Sequence, residues 1–236
     1  MHLELESFPT DGLAVVVGAS GSIGAALREA LVQTRAFKQV VGFSRSLDGF
    51  DLTAEDSIAD AAAKVASLAV PLRFIVVATG LLHDHGVRPE KTWRQLGAEG
   101  LTRVFAVNTI GPALVAKHFL PLLPREGKSV FAALSAKVGS IGDNNLGGWY
   151  GYRASKAALN QVVRTAAIEL ARTRPEAICV SLHPGTVESE LSAPFSSGHN
   201  VVTPTFAAAR MLKVIDGLRP SQSGLLIDHS GLTLPW

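Results

Sequence analysis

Tyr152 and Lys156 stand four residues apart in Tyr-Arg-Ala-Ser-Lys, a spacing that puts a phenol and an ammonium on one face of a helix. A free phenol titrates near ~10, too high for easy proton exchange at neutral pH, and a nearby ammonium favours the phenolate. The pair is therefore a candidate proton donor and acceptor, with Lys156 expected to lower the pKa of Tyr152. Tyr150 is a competing phenol, but no lysine follows it at the same spacing. With Trp149 it is expected to line a pocket.

A second chemical signal lies near the N-terminus. In "LAVVVGASGSIGAAL", Gly18, Gly21 and Gly24 follow an apolar run and open a helical segment. Glycines there let the backbone approach a pyrophosphate, and the helix N-terminus offers free amides and positive dipole. Ser20 and Ser22, between the glycines, can bond phosphate or cap the helix. The cofactor's ribose then meets the end of the second strand. An NAD site often carries a carboxylate there, ~20 residues after the glycines, whereas the sequence reads Gly42-Phe43-Ser44-Arg45-Ser46 with no acid. Arg45, helped by Ser44 or Ser46, suits a 2′-phosphate, so NADP is favoured and NAD remains possible. The bland alternative is that Arg45 is a solvated loop residue.

These groups need a frame to hold them. Strand-like runs recur at Leu13 to Val17, Val40 to Phe43, Phe74 to Ala78, Val130 to Leu134, Ile178 to Leu182 and Leu225 to Ile227. They are nearly continuous rather than alternating, as strands buried on both faces are. Between them, helical segments span Ile23 to Thr34, Asp56 to Ser67, Thr92 to Leu123, Tyr152 to Arg172 and Pro204 to Leu218. The alternation predicts one α/β domain over residues 1–236, a doubly wound parallel sheet flanked by helices. The helix from Tyr152 is apolar on most sides. The sheet can cover one side; a second subunit would cover another, giving a homodimer or homotetramer, or the monomer itself buries it.

Composition narrows the class. Of 236 residues, 47% are hydrophobic and 18% charged, enough for one sizeable core. A net charge of +2 with no basic run argues against a nucleic-acid partner. Cys179 is the sole cysteine, so neither a disulfide nor a thiolate zinc site can form within the chain, and a buried structural thiol is expected. "MHLELESFPTDG" does not read as a secretion signal, and no apolar run approaches the ~20 residues that span a bilayer. No membrane partner and a cytoplasmic location are expected.

Taken in order, these elements resemble the short-chain dehydrogenase/reductase family along the whole chain. "VGASGSIG" (including Ile23) is similar to its cofactor loop, and Asp51-Leu52 to its adenine-contacting pair. "VVATG", with Ala78, Thr79 and Gly80, is similar to the fourth-strand motif without its asparagines. Asn108 in "FAVNTIGP" resembles the family's tetrad asparagine, and "YRASK" its active-site motif. "HPGTVES", with Pro184, Gly185, Thr186 and Val187, resembles the segment beside the nicotinamide. "GLLIDHSGLTLPW" is similar to the closing strand. "ATGLLHD", "VGSIGDN" and "GGWYGYRASKAALN" look most like the C-factor and carbonyl-reductase-like subgroup.

The resemblance implies a Rossmann fold that binds NADP or NAD and transfers hydride between nicotinamide and a small-molecule carbonyl or alcohol. Tyr152 would be the acid/base, Lys156 would tune it and hold the cofactor ribose, and Asn108 would hold a relaying water. One departure stands out: alignment of "SAKVGSIG" puts Ala136 where the family has its catalytic serine. Ser135 is the candidate substitute, although neighbouring strand residues face opposite ways. Ser140 could serve instead, or the site could run without a serine. NADPH-dependent reduction of a small or medium carbonyl compound is the leading expectation. The rival is a cofactor-binding signalling or regulatory protein with little turnover.

His83-Asp84-His85 is expected to be a polar loop at the pocket mouth, with no metal. His118 reads as a satisfied, partly buried side chain, and His183 as a backbone-structuring or chemical group near the cofactor. Glu188 to Thr203 reads as a lid, with Leu191, Pro194 and Phe195 available to an apolar substrate. Arg28, Arg35 and Lys38 read as surface.

Overall fold

The apolar runs become six parallel strands in the computed structural model, which describes residues 3–198 and 200–236. Met1 and His2 of the N-terminal stretch and His199 of the lid lie outside the described residues. The strands are β1 (Leu13–Val17), β2 (Gln39–Phe43), β3 (Leu72–Val77), β4 (Ser129–Leu134), β5 (Ala177–His183) and, near the C-terminus, Leu226–Asp228. Their order across the sheet is β2-β1-β3-β4-β5 and then the C-terminal strand. From β1 the chain steps outward to β2 and returns past β1 to β3. The reversal leaves a crevice at the C-terminal ends of β1 and β3, where open α/β sheets bind ligands.

Side chains alternate faces along each strand. Leu13, Val15 and Val17 point into one layer, with Ile58, Val115, Phe119, Leu159 and Val163. Ala14 and Val16 point into the other, with Leu27, Leu31, Met211 and Leu212. Helices α1 (Ser22–Thr34), α3 (Glu55–Ser67), α5 (Gly111–Phe119), α6 (Tyr150–Ala171) and α7 (Pro204–Gly217) supply those layers, and α2 is a single turn over Arg45–Asp48. Cys179 is fully buried in β5. Burial pushes its thiol up to about 12, as expected of a structural cysteine.

The expected helix from Thr92 to Leu123 is not continuous. A single 3₁₀ turn covers Trp93–Gln95, Leu96 and Gly97 are extended, and α4 (Ala98–Phe105) runs through a π turn at Ala106–Ile110 into α5. The π turn has a covalent reason. Pro112 has no N–H, so the Asn108 carbonyl loses the partner an α-helix would give it. The Gly111 amide instead reaches back five residues to the Ala106 carbonyl. The segment read as a lid also has structure: Thr186–Val187 (β6) pairs in parallel with Val201–Val202 (β7), making the C-terminal strand β8. Among the described residues, no helix is long and apolar enough to cross a membrane.

Candidate active site

The crevice starts at the glycine loop. Gly18 has φ 85, and a Cβ there would sit 2.9 Å from the Ala78 carbonyl oxygen. A Cβ on Gly24 would lie 2.0 Å from the Gly18 oxygen, so the start of α1 can pack onto the loop only without a side chain. Gly21 differs: its nearest neighbour would be 3.5 Å away, leaving its outer side open. Gly21 caps α1 with no side-chain bond, and no acid lies in the first turn. Unclaimed amides and the helix dipole therefore face outward beside exposed Ser20 and Ser22. Ile23 packs inward with the α1 layer. Across the crevice, Thr79 Oγ1 is buried with no partner. An open cradle and an orphaned hydroxyl fit a dinucleotide, with the pyrophosphate on the loop.

The ribose end is less simple than its sequence. Ser44 caps α2 and accepts the Leu47 amide at 3.3 Å, while its hydroxyl lies 3.4 Å from Ser46 Oγ. Arg45 is exposed. The short α2 turn also brings in an acid that linear reading missed: Asp48 Oδ1 accepts the Ser44 amide at 3.0 Å. Asp51 Oδ1 accepts both the amide and the hydroxyl of Thr53, at 2.8 and 2.7 Å. Those bonds from Thr53 hold its carboxyl below the usual range, with help from Arg45. Leu52 is buried against Gly111, where a Cβ would come within 2.5 Å of its Cγ.

Tyr152, Lys156 and Asn108 come together past the glycine loop. Lys156 Nζ donates to the Leu134 carbonyl at 2.7 Å and lies 5.8 Å from the Tyr152 ring centroid. Gly139 lets the turn after β4 press on this lysine, since a Cβ there would lie 2.8 Å from Lys156 Cβ. Asn108, fully buried, accepts the Leu81 amide at 2.7 Å and donates to the Leu81 carbonyl at 2.8 Å and Ser155 Oγ at 3.0 Å. Ser155 passes its own proton to the Tyr152 carbonyl at 2.8 Å. Thr109 Oγ1 donates to the Ser155 carbonyl at 2.8 Å. Sequence reading missed Ser155 and Thr109 as parts of this brace; the i+3 and i+4 relation of Ser155 and Lys156 to Tyr152 was the available signal.

One electrostatic expectation is reversed. Burial pushes the Tyr152 phenol up to about 12 and Lys156 down to about 7. Desolvation of both charged forms outweighs the attraction between them. Lys156 does not bring Tyr152 below its ordinary value.

Ser135 is also not where its expected role needs it. Its buried hydroxyl donates to Asn160 Oδ1 at 2.7 Å. Asn160 lies eight residues beyond Tyr152, about 12 Å along α6 at 1.5 Å per residue. Strand alternation explains this: Ser135 and Ala136 leave β4 on opposite sides. Ser140 is buried, and its oxygen accepts the Asp143 amide at 3.1 Å. Ala136 has extended backbone, φ −148 and ψ 147.

At the end of β5, Pro184 and Gly185 lie against His229, whose Cδ2 would be 2.6 Å from a Cβ on Gly185. Burial, reinforced by His229, pushes His183 down to about 4, leaving it neutral. Thr186 and Val187 form β6, and the Val187 carbonyl accepts the Ser192 hydroxyl. This bond ties the lid back to β6. Leu191 reaches the centre of the site: a Cβ on Gly80 would find Leu191 Cδ1 at 3.7 Å, Lys156 Nζ at 3.8 Å and Asn108 Oδ1 at 3.9 Å. Phe195 lies 5.1 Å from Trp149 and 5.5 Å from His83, and Trp149 lies 6.2 Å from Tyr152. His83 joins the loop after β3 to the lid through the carbonyls of Glu190 and Leu191, at 3.1 and 3.2 Å. Asp84 is taken up by the Gly86 and Val87 amides and by Arg103. His118 meets Glu55 at 3.0 Å.

Known proteins give this geometry a context. The family described as Enoyl-(Acyl carrier protein) reductase matches residues 19–215. The 1-hydroxy-2-glutathionyl-2-methyl-3-butene dehydrogenase of Rhodococcus sp. (strain AD45) is 34% identical over 188 residues, 80% of this chain and 79% of that protein. The C-signal of Myxococcus xanthus is 38% identical over 138 residues, 58% of this chain and 78% of that protein. The NADPH-bound carbonyl reductase from chicken fatty liver superposes with a TM-score of 0.85 at 23% identity, covering 98% of this chain and 97% of that one. The carbonyl reductase Sniffer of D. melanogaster gives 0.83 at 22% identity, covering 96% and 99%. At those identities the two structures establish the fold. The family match and the Rhodococcus relative go further: this chain belongs to the short-chain dehydrogenase/reductase family of NAD(P)-dependent oxidoreductases.

Proposed function

We propose that the protein reduces a small or medium carbonyl compound, preferring NADPH, with Tyr152 as the proton donor. The observation that carries this reading is that Lys156 and Asn108 meet beside Gly80, with the Tyr152 ring 5.8 Å from the Lys156 ammonium. When bound, the nicotinamide supplies the hydride for reduction or accepts it in the reverse direction. A phenol held up to about 12 is neutral at physiological pH, the form that can give a proton to a carbonyl oxygen as it becomes an alcohol. Lys156 has three N–H groups and spends one on Leu134, leaving two for the cofactor ribose and a water. The Asn108 carbonyl, freed by Pro112, is a natural acceptor for that water. Gly18, Ser20, Gly21, Ser22, Ile23 and Gly24 would hold the pyrophosphate. Thr79, between Ala78 and Gly80, has a free hydroxyl for the cofactor, and Asp51 with Leu52 would flank the adenine.

The preference for NADPH rests on Arg45, with Ser44 and Ser46 beside it, and is opposed by Asp48. A charge-assisted bond of the Arg45–phosphate kind contributes roughly 1.5–3 kcal/mol. Arg45→Ala should therefore raise KM for NADPH at least about tenfold and leave KM for NADH nearly unchanged. Equal effects on both would remove the 2′-phosphate role. The activity itself is tested by following NADPH consumption against a panel of aldehydes and ketones, with Tyr152→Phe as control. Equal rates from the two proteins would overturn the mechanism.

Ala136 favours a second reading. With Ser135 committed to Asn160, the carbonyl oxygen has lost one donor, and the similarity to C-signal supports a cofactor-binding signalling protein with little turnover. NADPH binding without turnover on the panel would support that reading. A homodimer or homotetramer through the outer face of α6, where Ile168 is half exposed, is a further expectation; light scattering on the purified chain measures it.

A further inference from the structure

Trp149 is held in a conformation its own side chain disfavours. It has φ 52 and ψ 42, in the left-handed region that bulky residues avoid. Such a conformation persists only where its surroundings over-determine it, and here they do. The Trp149 amide donates to the Glu90 carbonyl at 2.5 Å. Two residues past it, the Gly151 amide donates to Glu90 Oε2 at 3.1 Å. Arg153 binds the loop from the other side. Its Nε donates to the carbonyls of Gly148 at 3.0 Å and Gly147 at 3.2 Å, its Nη2 to Gly147 at 3.1 Å and its Nη1 to Val138 at 3.2 Å. One guanidinium thus ties three carbonyls of the segment between β4 and α6, a geometry Lys cannot reproduce.

The clamp sets the indole edge-on to the Tyr152 ring, at 6.2 Å and 78°. The same indole meets Phe195 of the lid at 5.1 Å and 67°, and Phe195 meets His83 at 5.5 Å and 66°. The His83 contacts are both with carbonyls, so Nε2 carries the proton and keeps the ring facing Phe195. Tyr152, Trp149, Phe195 and His83 are each half-buried. Their uncovered edges and faces form an aromatic wall next to the acid, with Leu191 closing it towards Lys156.

Rings set edge to face leave free faces and edges on which a further ring can stack offset or pack edge-on. Resting on the reductase reading above, we infer that Trp149 is the specificity-determining residue for a carbonyl compound bearing an aryl or conjugated group next to the C=O. Arg153 and Glu90 are positioning residues that act through it.

Two readouts test this. The first is kcat/KM with NADPH for benzaldehyde relative to propanal. The second is binding of an unreactive pair, benzamide and propionamide, to the NADPH complex by calorimetry. Expected are preference for the aryl member in both, and a fall in each preference of about tenfold, equivalent to about 1.4 kcal/mol, in Trp149→Asn. Asparagine tolerates the left-handed region, so this variant removes the indole without demanding a new backbone. Arg153→Ala should lower the same ratios, and adding it to Trp149→Asn should lower them no further. A merely structural arginine would lower thermal stability and both substrates alike, leaving the ratios in place, and that result would overturn its role. Turnover without aryl preference, or a ratio untouched in Trp149→Asn, overturns the inference while the reductase reading stands. Absence of turnover with Trp149-dependent benzamide binding overturns the reductase reading and supports the aryl site.

Discussion

The two sides of the site are built differently. On the α6 side, the side-chain polar groups of Asn108 and Ser155 all have partners, and Lys156 is anchored to a carbonyl. On the β4 side, Ala136, where the family alignment expects a serine, offers only a methyl group, and the neighbouring Ser135 hydroxyl is turned to Asn160. In the proposed mechanism the first side would handle the proton and the second would steady negative charge on the oxygen. A chain can hold one half of such a site in full while leaving the other thin, because the two are supplied by different elements. α6 and the π turn build the first, and the strand end after β4 builds the second.

The largest test of this asymmetry is Tyr152→Phe, which removes the proton donor and should lower kcat by about 10²–10⁴. A loss below tenfold, measured as initial rate on the best carbonyl, would mean that the built side is not the working side. Next is Ala136→Ser. The extended backbone of Ala136 accepts serine without strain, and an added oxyanion donor is worth up to about 100-fold in kcat. A flat or falling rate would show that another hydroxyl already serves the oxygen, and Ser140→Ala would identify it.

A smaller effect is expected from Pro112→Ala. It restores an amide that can claim the Asn108 carbonyl, and one hydrogen bond of ~1 kcal/mol corresponds to about fivefold in kcat. An unchanged rate would separate the π turn from proton handling. A separate test concerns stability rather than rate. Burial pushes Lys156 down to about 7 in the folded chain, from its ordinary 10.5. Between those values the unfolded chain binds more protons, so stability rises with pH across the window. Lys128, lowered to about 8 mainly by burial, acts with the same sign. Thermal melts from pH 7 to 9 should therefore climb, and Lys156→Met should climb less steeply. Equal slopes would mean that the lysine is not buried in solution as it is here.

Much of this was legible in the residues. The six strands fall within two residues of the apolar runs, because a strand buried on both faces must be apolar throughout. The cradle was legible too, because a missing Cβ at Gly18 and Gly24 is a chemical fact before it is a structural one. The failures share a different cause. Ser135 and Ala136 are adjacent, and no linear pattern says which of two neighbours faces the pocket until the strand's register is known. Asp48 lies outside "GFSRS" and reaches Ser44 only through the α2 turn. The long segment before β4 looks helical because its 3.6-residue pattern survives a π turn; Pro112, four residues after Asn108, was the readable mark of the break. The raised phenol could not be foreseen from spacing, since it depends on how much water the fold removes.

Most ways of keeping a backbone carbonyl open for a transient guest rely on something that fluctuates: a side chain held aside, a charge, a loop that stays away. At Asn108 the competitor has been deleted from the covalent structure. The missing N–H does not titrate and does not return on heating or cooling. A solvent molecule seated there would meet no rival hydrogen from position 112, so any pH dependence of the relay would enter from its Lys156 end.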